Sequence, residues 1–447
     1  MDAIIHPRPL HGTVRAIASK SMAHRLLICA ALCPGPTSIA CPTTSKDIEA
    51  TIACLESLGA GVEREGERLA VVPLPGSPSS DNVRLAHAGA VLDCGESGST
   101  LRFLLPVLCA LGQGGELTGH GRLAARPLSP LYEELVAGGA DISEPGTFPL
   151  TVSGTLRPGR FELPGNVSSQ YVSGLLMAAP LLGGPTEVRV SEPFESRPYV
   201  SLTISALATF GVEVHESHER IDGRGYTSFL VSPATPYVSP GAVSVEGDWS
   251  NAAFWLCAGA LAIEPLPRAG RVRELGVSGL DLASRQGDRA VLAAIAKLGG
   301  RVSRSGDTAR VSAGSPVACE MDVSDFPDLV PPLAAVAALA PGTTTLTGCA
   351  RLRLKESDRV ESVCAALNAL GARLTPGSDT ITIEGVGSLL GGVVDAANDH
   401  RIAMMAAIAA TRCGGDVTIR GSQCVEKSYP SFFEDYRTLG GLVDLVN

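Results

Sequence analysis

Aromatic side chains are scarce in this chain: Phe, Tyr and Trp make up 4% of 447 residues, although 45% are apolar. Large rings cannot fill the interior, which must be assembled from Ala, Leu, Val and Ile in many thin layers. Cations are also in deficit, with 36 Lys and Arg against 46 Asp and Glu and a formal charge of -10. There is no basic balance and no basic tract, which argues against a non-specific nucleic-acid binder. Any anion site must therefore gather its few cations locally. The apolar runs at 252–263 and 333–340 are too short to span a bilayer, and Asp, Glu or Pro borders them. No basic region followed by an apolar stretch opens the chain at Met1-Asp2-Ala3-Ile4, so no secretory signal is expected. The 12 Cys include no Cys-x-x-Cys pair and no Cys/His array of zinc-site spacing. Cys29, Cys109, Cys257 and Cys364 lie in apolar helical runs and read as small buried hydrophobes, which suits a reducing, cytoplasmic compartment. Gly (50) and Pro (31) are spread out, implying many short connections rather than a linker or a disordered chain.

What is present is a repeat. Six segments share a polar or Pro-containing start, a stretch with helical apolar spacing, a Gly-containing turn and a short β-type run. They read DIEATIACLESLGAGVE from Asp47, LSPLYEELVAGGADIS from Leu128, RPYVSLTISALATFGVEVH from Arg197, DRAVLAAIAKLGGRVS from Asp288, DRVESVCAALNALGARL from Asp358 and YPSFFEDYRTLGGLVD from Tyr429. Apolar residues three and four apart give each helix one buried stripe. Gly59, Gly139, Gly211, Gly299, Gly371 and Gly440 are placed to stop it by accepting a left-handed backbone. Further strands are expected at 69–74, 161–165 and 379–386. A second class of helix, at 101–112, 171–182, 251–262 and 402–410, is almost wholly apolar and belongs in an interior. The expectation is an α/β fold of two similar domains, each of three repeated units. The Pro/Ser-rich stretch SPATPYVSPGA at 232–242 is the best internal boundary.

The charged and hydroxylated residues gather where these helices begin. Lys20, Ser21 and Arg25 open the apolar run LLICAAL, with Ser21 and Arg25 on one helix face. Asp93-Cys94-Gly95-Glu96-Ser97-Gly98-Ser99-Thr100-Leu101-Arg102 offers a nest of N–H groups ahead of another helix. It is not a P-loop, since no Gly-Lys-Ser/Thr follows. Arg126-Pro127 places Pro at a helix-start position, Ser168-Ser169-Gln170 caps the next apolar helix, and Ser196-Arg197-Pro198-Tyr199 repeats the arrangement. In the second half, Asp328 precedes an Ala/Val/Leu helix, where it can serve either as a cap or as a base. Lys355-Glu356-Ser357-Asp358-Arg359 begins the fifth repeat helix, with Lys355 and Arg359 facing one way. Asp399-His400-Arg401 meets an all-apolar helix, and Lys427 precedes the last repeat helix. His400 is the side chain suited to proton traffic near neutrality. Serines as caps and charges as exposed salt bridges explain each place singly. They explain less well why Lys20, Arg25, Arg102, Arg126, Arg197, Lys355, Arg359, Arg401 and Lys427 all stand at helix entrances. Two domains facing each other would focus these nine cations on one cleft suited to a small, multiply charged anion.

In order along the chain, SKSMAHR, GESGSTLR, Arg126-Pro127, SSQYVSGLLMAAPL, ESRPY, VEGDWSNAAF, FPDLVPPLA, LKESDR, NDHRIAM and EKSYPSFF resemble the motifs of the 5-enolpyruvylshikimate-3-phosphate synthase family. The resemblance implies an inside-out α/β barrel of the enolpyruvyl transferase type in each domain, closing over a central cleft. It places residues 19–237 in one lobe and 1–18 with 238–447 in the other. It implies transfer of the enolpyruvyl group of phosphoenolpyruvate to the 5-hydroxyl of 3-phosphoshikimate, in chorismate and aromatic amino-acid synthesis. Neither metal nor organic cofactor is implied. Ser21, Arg25, Ser168, Ser169, Ser196 and Lys355 would take the phosphoshikimate, with Asp328 on its reacting hydroxyl and Gln170 between the substrates. Lys20, Gly98, Arg126, Arg359, Arg401 and Lys427 would hold the carboxylate and phosphate of phosphoenolpyruvate. Lys20, Asp328, Glu356, His400 and Lys427 are the implied catalytic set. A monomer without nucleic-acid or membrane partners is expected.

Two positions depart from the family pattern: Glu96 stands where many relatives have Asn, and Arg351 where some have Asn. An additional carboxylate at an anion site needs a partner or must point away. Gly98 keeps the small residue that leaves room for glyphosate in sensitive relatives. The rival readings are the related transferase acting on UDP-N-acetylglucosamine and a non-enzymatic repeat scaffold. The first would carry a reactive Cys in a mobile loop and lack the Lys355-to-Arg359 motif. The second leaves Asp328, Glu356 and His400 beside cations without a role.

Overall fold

The computed structural model describes residues 1–75, 89–262 and 274–446. Among these, twelve α-helices run in sequence as six pairs: α1 (Lys20–Leu32), α2 (Lys46–Ser57), α3 (Gly98–Leu111), α4 (Leu131–Ala137), α5 (Ser169–Ala178), α6 (Arg197–Thr209), α7 (Trp249–Leu261), α8 (Val291–Lys297), α9 (Val330–Ala337), α10 (Arg359–Ala369), α11 (His400–Ala410) and α12 (Phe432–Thr438). The odd-numbered helices are buried along nearly their whole length, and the even-numbered ones bury one stripe. This is the division that the two classes of apolar spacing anticipate. It also answers the shortage of rings: Ala403, Ala406, Ala407 and Ala409 on α11 are wholly buried and let its neighbours approach closely.

The strands form six four-stranded sheets. Each has one parallel pair joined antiparallel to a further antiparallel pair, which is a hairpin in five sheets and Asp2–His6 with Leu442–Val446 in the sixth. In the second unit Ala90–Asp93 runs parallel to Gly115–Thr118, with α3 as the crossover; Leu150–Gly154 and Ala140–Ile142 complete the sheet. Leu92 pairs with Leu117 and both point into the core, so the period-two alternation fixes the register. All six turn glycines have positive φ, from 79° at Gly211 to 109° at Gly139. Gly299 is required twice over, because a Cβ there would lie 1.8 Å from the Ser315 carbonyl oxygen.

The contacts divide the chain into two compact units, one of Ala18–Val245 and the other of Met1–Ile17 with Glu246–Asn447. In the first, α3 packs on α5 and α1 on α2 and α6; in the second, α7, α9 and α11 pack on one another. The N-terminal strands complete sheets of the second unit: Asp2–His6 pairs with strands at 417–419 and 442–446, and Gly12–Arg15 with the strand at 275–278. The contact boundary near the middle lies past 237, the last residue placed in the first lobe from sequence. The reason is a short strand, Ala242–Ser244, that pairs in parallel with Thr37–Ala40 and draws the chain through Val245 into the first unit.

Candidate functional site

In the first unit the three buried helices begin alike. Ser19, Ser97 and Ser168 are N-caps whose hydroxyls accept from the N–H groups of Met22, Thr100 and Gln170, and the remaining N–H groups of each first turn attract anions. Side chains tie the starts together. Arg102 donates to Gln170 Oε1 (3.0 Å) and to the Pro127 carbonyl (3.0 Å), and Gln170 Nε2 donates to Ser99 (2.9 Å). Lys20, the first residue of α1, pairs with Asp47 at 2.9 Å. A Cβ on Gly98 would sit 2.4 Å from Arg126 Nη1 and 2.7 Å from Arg102 Nη1, so two guanidinium groups are packed over the bare glycine.

Several local expectations change here. Pro127 does not start a helix: its carbonyl accepts from Arg102 and from the Tyr171 hydroxyl (2.5 Å), which holds the chain out of helical geometry until α4 begins at Leu131. Ser196 occupies the N-cap of α6 at φ 52° without capping through its side chain. Arg197 leaves the cation group for Glu216 on the neighbouring strand and is 46% exposed. Arg25 is only 2% exposed and spends its donors on Thr203 (2.7 Å), the Ser21 carbonyl (2.5 Å), the Tyr199 carbonyl (3.0 Å) and Ser173 (3.4 Å). Burial lowers its pKa to about 10. Arg25 thus binds α1 to α5 and α6 and fixes the first turn of α1, which carries Ser21. The Glu96 carboxylate lies over Gly121, whose Cβ position is 2.7 Å from Oε2, so it is turned onto the 119–122 loop.

The second unit gathers the acid and base residues. Asp328 does not cap α9; it lies in a 3-10 turn (Pro327–Leu329) that precedes it. Its Oδ1 accepts from Arg359 Nη1 (2.9 Å) and Lys355 Nζ (3.4 Å), and its Oδ2 from Arg401 Nη2 (3.0 Å). Lys355 ends a separate 3-10 turn and α10 starts only at Arg359, because Asp358 caps it by accepting from the Glu361 N–H. The two cations still face one way, and Glu356 reaches the same guanidinium, with Oε2 2.6 Å from Arg359 Nη2. Arg359 is completed by Asp399, the N-cap of α11, at 2.7 Å from Nε, and Ser357 also donates to Asp399 (3.1 Å). His400 and Arg401 open α11, both buried. Lys427 ends a 3-10 turn and donates to the Asn398 carbonyl at 2.8 Å, immediately before that helix. Arg351 donates to the Ser324 carbonyl (3.3 Å).

The charge balance follows from this geometry. Burial opposes ionisation of Asp328, but Arg401, Lys355 and Arg359 outweigh it and hold the carboxyl well below its usual range. Burial pulls Lys355 down from the ordinary lysine value, against the attraction of Asp328. The unit therefore holds an ionised carboxylate at neutral pH among cations able to bind an anion. Sequence reasoning did not assign Asp47, Ser357 or Asp399. Asp47 and Asp399 were legible only as acids at helix starts; their partners lie 27 and 40 residues away.

The close approach at Gly98 yields a direct expectation. Gly98→Ala forces the Arg126 and Arg102 guanidinium groups aside by a fraction of an ångström to an ångström. For phosphoenolpyruvate, the donor that the resemblance implies, KM should rise by about 10–100-fold while the thermal midpoint stays near wild type. Steady-state kinetics with each ligand varied checks this.

Solved structures share the fold. EPSP synthase from Acinetobacter baumannii superimposes with a TM-score of 0.77 at 25% identity, covering 99% of this chain and 100% of that one. The enolpyruvyl transferase NikO from Streptomyces tendae gives 0.72 at 20% identity, covering 99% and 98%. The fold is that of the enolpyruvyl transferases, two α/β domains built of repeated units. Among curated relatives, the 3-phosphoshikimate 1-carboxyvinyltransferase of Clostridium kluyveri is 38% identical over 441 residues, 98% of this chain and 97% of its own. That of Clostridium perfringens is 38% identical over 442 residues, 98% of both. The family model for EPSP synthase (3-phosphoshikimate 1-carboxyvinyltransferase) matches residues 4–436, and the chain belongs to that family.

Proposed function

We propose that this chain transfers the enolpyruvyl group of phosphoenolpyruvate to the 5-hydroxyl of 3-phosphoshikimate, releasing phosphate. The observation that carries the reading is the ionised Asp328 carboxylate set against Arg359, Arg401 and Lys355 in a chain of this family. The reaction needs a base for a hydroxyl and fixed cations for a carboxylate and a phosphate, and this cluster has both. The first unit supplies capped helix starts for anions, at Ser168, Ser169 and Gln170 and at Gly98, together with Lys20 and Arg126.

The proposed course is addition then elimination. Asp328 takes the proton of the hydroxyl as its oxygen bonds to C2 of phosphoenolpyruvate, and the methylene carbon gains a proton. The resulting phosphate ketal loses a methyl proton and its C–O bond to phosphate, which regenerates the double bond in the product. Glu356 and Lys20 are the candidates for the methylene and phosphate sides, and His400 and Lys427 support the changes of charge. Arg126, Arg359 and Arg401 suit the planar carboxylate and the phosphate through their forked donors. Ser21, Ser196 and Lys355 take the phosphoshikimate side, and Arg25 serves it by fixing the turn that carries Ser21.

No helix among the described residues is long and apolar enough to cross a membrane. The 12 Cys are free thiols and all but Cys319 are buried, which supports placing the enzyme in the cytoplasm. We expect it to work as a monomer, which sedimentation at the mass of one chain would support. The deciding assay mixes purified protein with phosphoenolpyruvate and 3-phosphoshikimate and follows phosphate and the enolpyruvyl product. Transfer to UDP-N-acetylglucosamine instead would overturn the assignment.

A further inference from the structure

Asp47 stands at the start of α2 and belongs to no motif that marks the site. Its Oδ2 lies 2.9 Å from Lys20 Nζ, and the two side chains are 12% and 14% exposed. This is unlike the chain's outlying pairs, such as Arg64 with Glu49, which are half in water and contribute little. The first turn of a helix favours an anion there. The backbone of the same turn is held from the other side: the Asp47 carbonyl accepts from Thr100 Oγ1 at 3.5 Å, and Thr51, one turn further on, meets Thr100 at 2.7 Å and His24 Nδ1 at 2.7 Å. Thr100 Oγ1 also lies 2.7 Å from the hydroxyl of Ser97, the cap of α3. One short polar chain thus joins the beginnings of α1, α2 and α3, and the Asp47 carboxylate is fixed relative to both Lys20 and the Gly98 turn.

We infer that Asp47 is a positioning residue for the transfer reaction, holding the Lys20 ammonium group at the mouth of α1 in the orientation in which it meets the substrate. The inference rests on the function proposed above. A lysine ammonium is a point charge on a flexible four-carbon stem and has three donors. The donor spent on Asp47 removes the freedom of the stem and fixes the direction of the ammonium group. Asp47 itself need not touch substrate.

The test uses Asp47→Asn and Asp47→Glu in the full chain, alone and combined with Lys20→Met. Asp47→Asn should lower kcat by about 30-fold while KM for phosphoenolpyruvate changes by less than about 3-fold, since orientation is lost and most of the binding charge remains. Asp47→Glu, which can rebuild the pair, should recover most of the rate. In the Lys20→Met background Asp47→Asn should cost less than about 2-fold further, because its target is gone. Unchanged kcat in Asp47→Asn, or the full 30-fold loss persisting without Lys20, overturns the inference. An NMR arm stands apart from activity: the Lys20 ammonium ¹⁵N signal should be slow to exchange in wild type and in Asp47→Glu, and lost to exchange in Asp47→Asn. A signal indifferent to residue 47 overturns the inference even if the chain catalyses some other reaction. Absence of transfer by wild type, with the NMR pattern intact, instead overturns the functional reading alone.

Discussion

Asp328→Asn should abolish turnover almost completely, lowering kcat by about 1,000-fold or more, with the chain still folded. The amide has the shape of the carboxylate but cannot take the hydroxyl proton. Its NH2 group also adds a donor to a cluster in which Arg359, Arg401 and Lys355 already donate. The pH behaviour separates this account from a loss of fit. Burial works against the Asp328 charge, but Arg401, Lys355 and Arg359 prevail and depress its pKa in the folded chain. A depressed carboxylate contributes stability that is fully present above the unfolded value, about 3.9, and is lost as pH falls through the folded value. Wild type should therefore lose stability relative to Asp328→Asn only below about pH 4. For the same reason Asp328 should impose no acid limb on kcat/KM, which reports the free enzyme, above about pH 4. In the substrate complex proposed above the phosphate and carboxylate draw on the same guanidinium groups, so an acid limb should stand at higher pH in kcat than in kcat/KM. Coincident limbs would remove Asp328 from the role of base.

The repeat was legible because its cause is local. A helix with one apolar stripe must stop where its stripe ends, and Gly59, Gly139, Gly211, Gly299, Gly371 and Gly440 each stop one with positive φ. The all-apolar helices were legible for a similar reason, since α3 or α11 has no polar face to offer water. The strand partners were less so. Residues 2–6 pair with 417–419 and 442–446, and no property of a five-residue strand announces a partner more than 400 positions away.

The candidate site was legible as helix beginnings but not as a bond pattern. The notion that Lys355 and Arg359 share a helix gave their common direction for the wrong reason. They lie on different elements, and the carboxylate of Asp328 draws them together. Arg25 and Arg197 show the opposite limit. Arg197 opens its helix and Arg25 lies in the second turn of its own, both in a motif-like setting, yet Arg25 is consumed by interior carbonyls and hydroxyls and Arg197 by Glu216. A guanidinium group takes the nearest good acceptor, and only the fold says which acceptor that is.

Arg359→Met should combine the largest loss of stability with loss of activity. The guanidinium is 1% exposed and bridges three carboxylates: Asp328 through Nη1 at 2.9 Å, Glu356 through Nη2 at 2.6 Å and Asp399 through Nε at 2.7 Å. Burial disfavours its charge, but Asp399, Glu356 and Asp328 outweigh that and raise its pKa, so it is charged at every accessible pH. Methionine fills similar volume and supplies no donor, which leaves neighbouring carboxylates in a poorly solvated space. Removing one member of a buried ionic group costs about 3–5 kcal/mol, and urea unfolding near neutrality should show a loss of that order. The sign of the pH effect is diagnostic. Carboxylates deprived of their cation bind protons more readily in the folded chain than in the unfolded one, so the stability of the variant should rise as pH falls toward about 5, which narrows its gap to wild type. Arg359→Lys restores one charge without the fork, and should recover part of the stability and little of the rate. A pH-independent deficit in Arg359→Met would mean that packing, rather than charge, is what Arg359 contributes to this lobe.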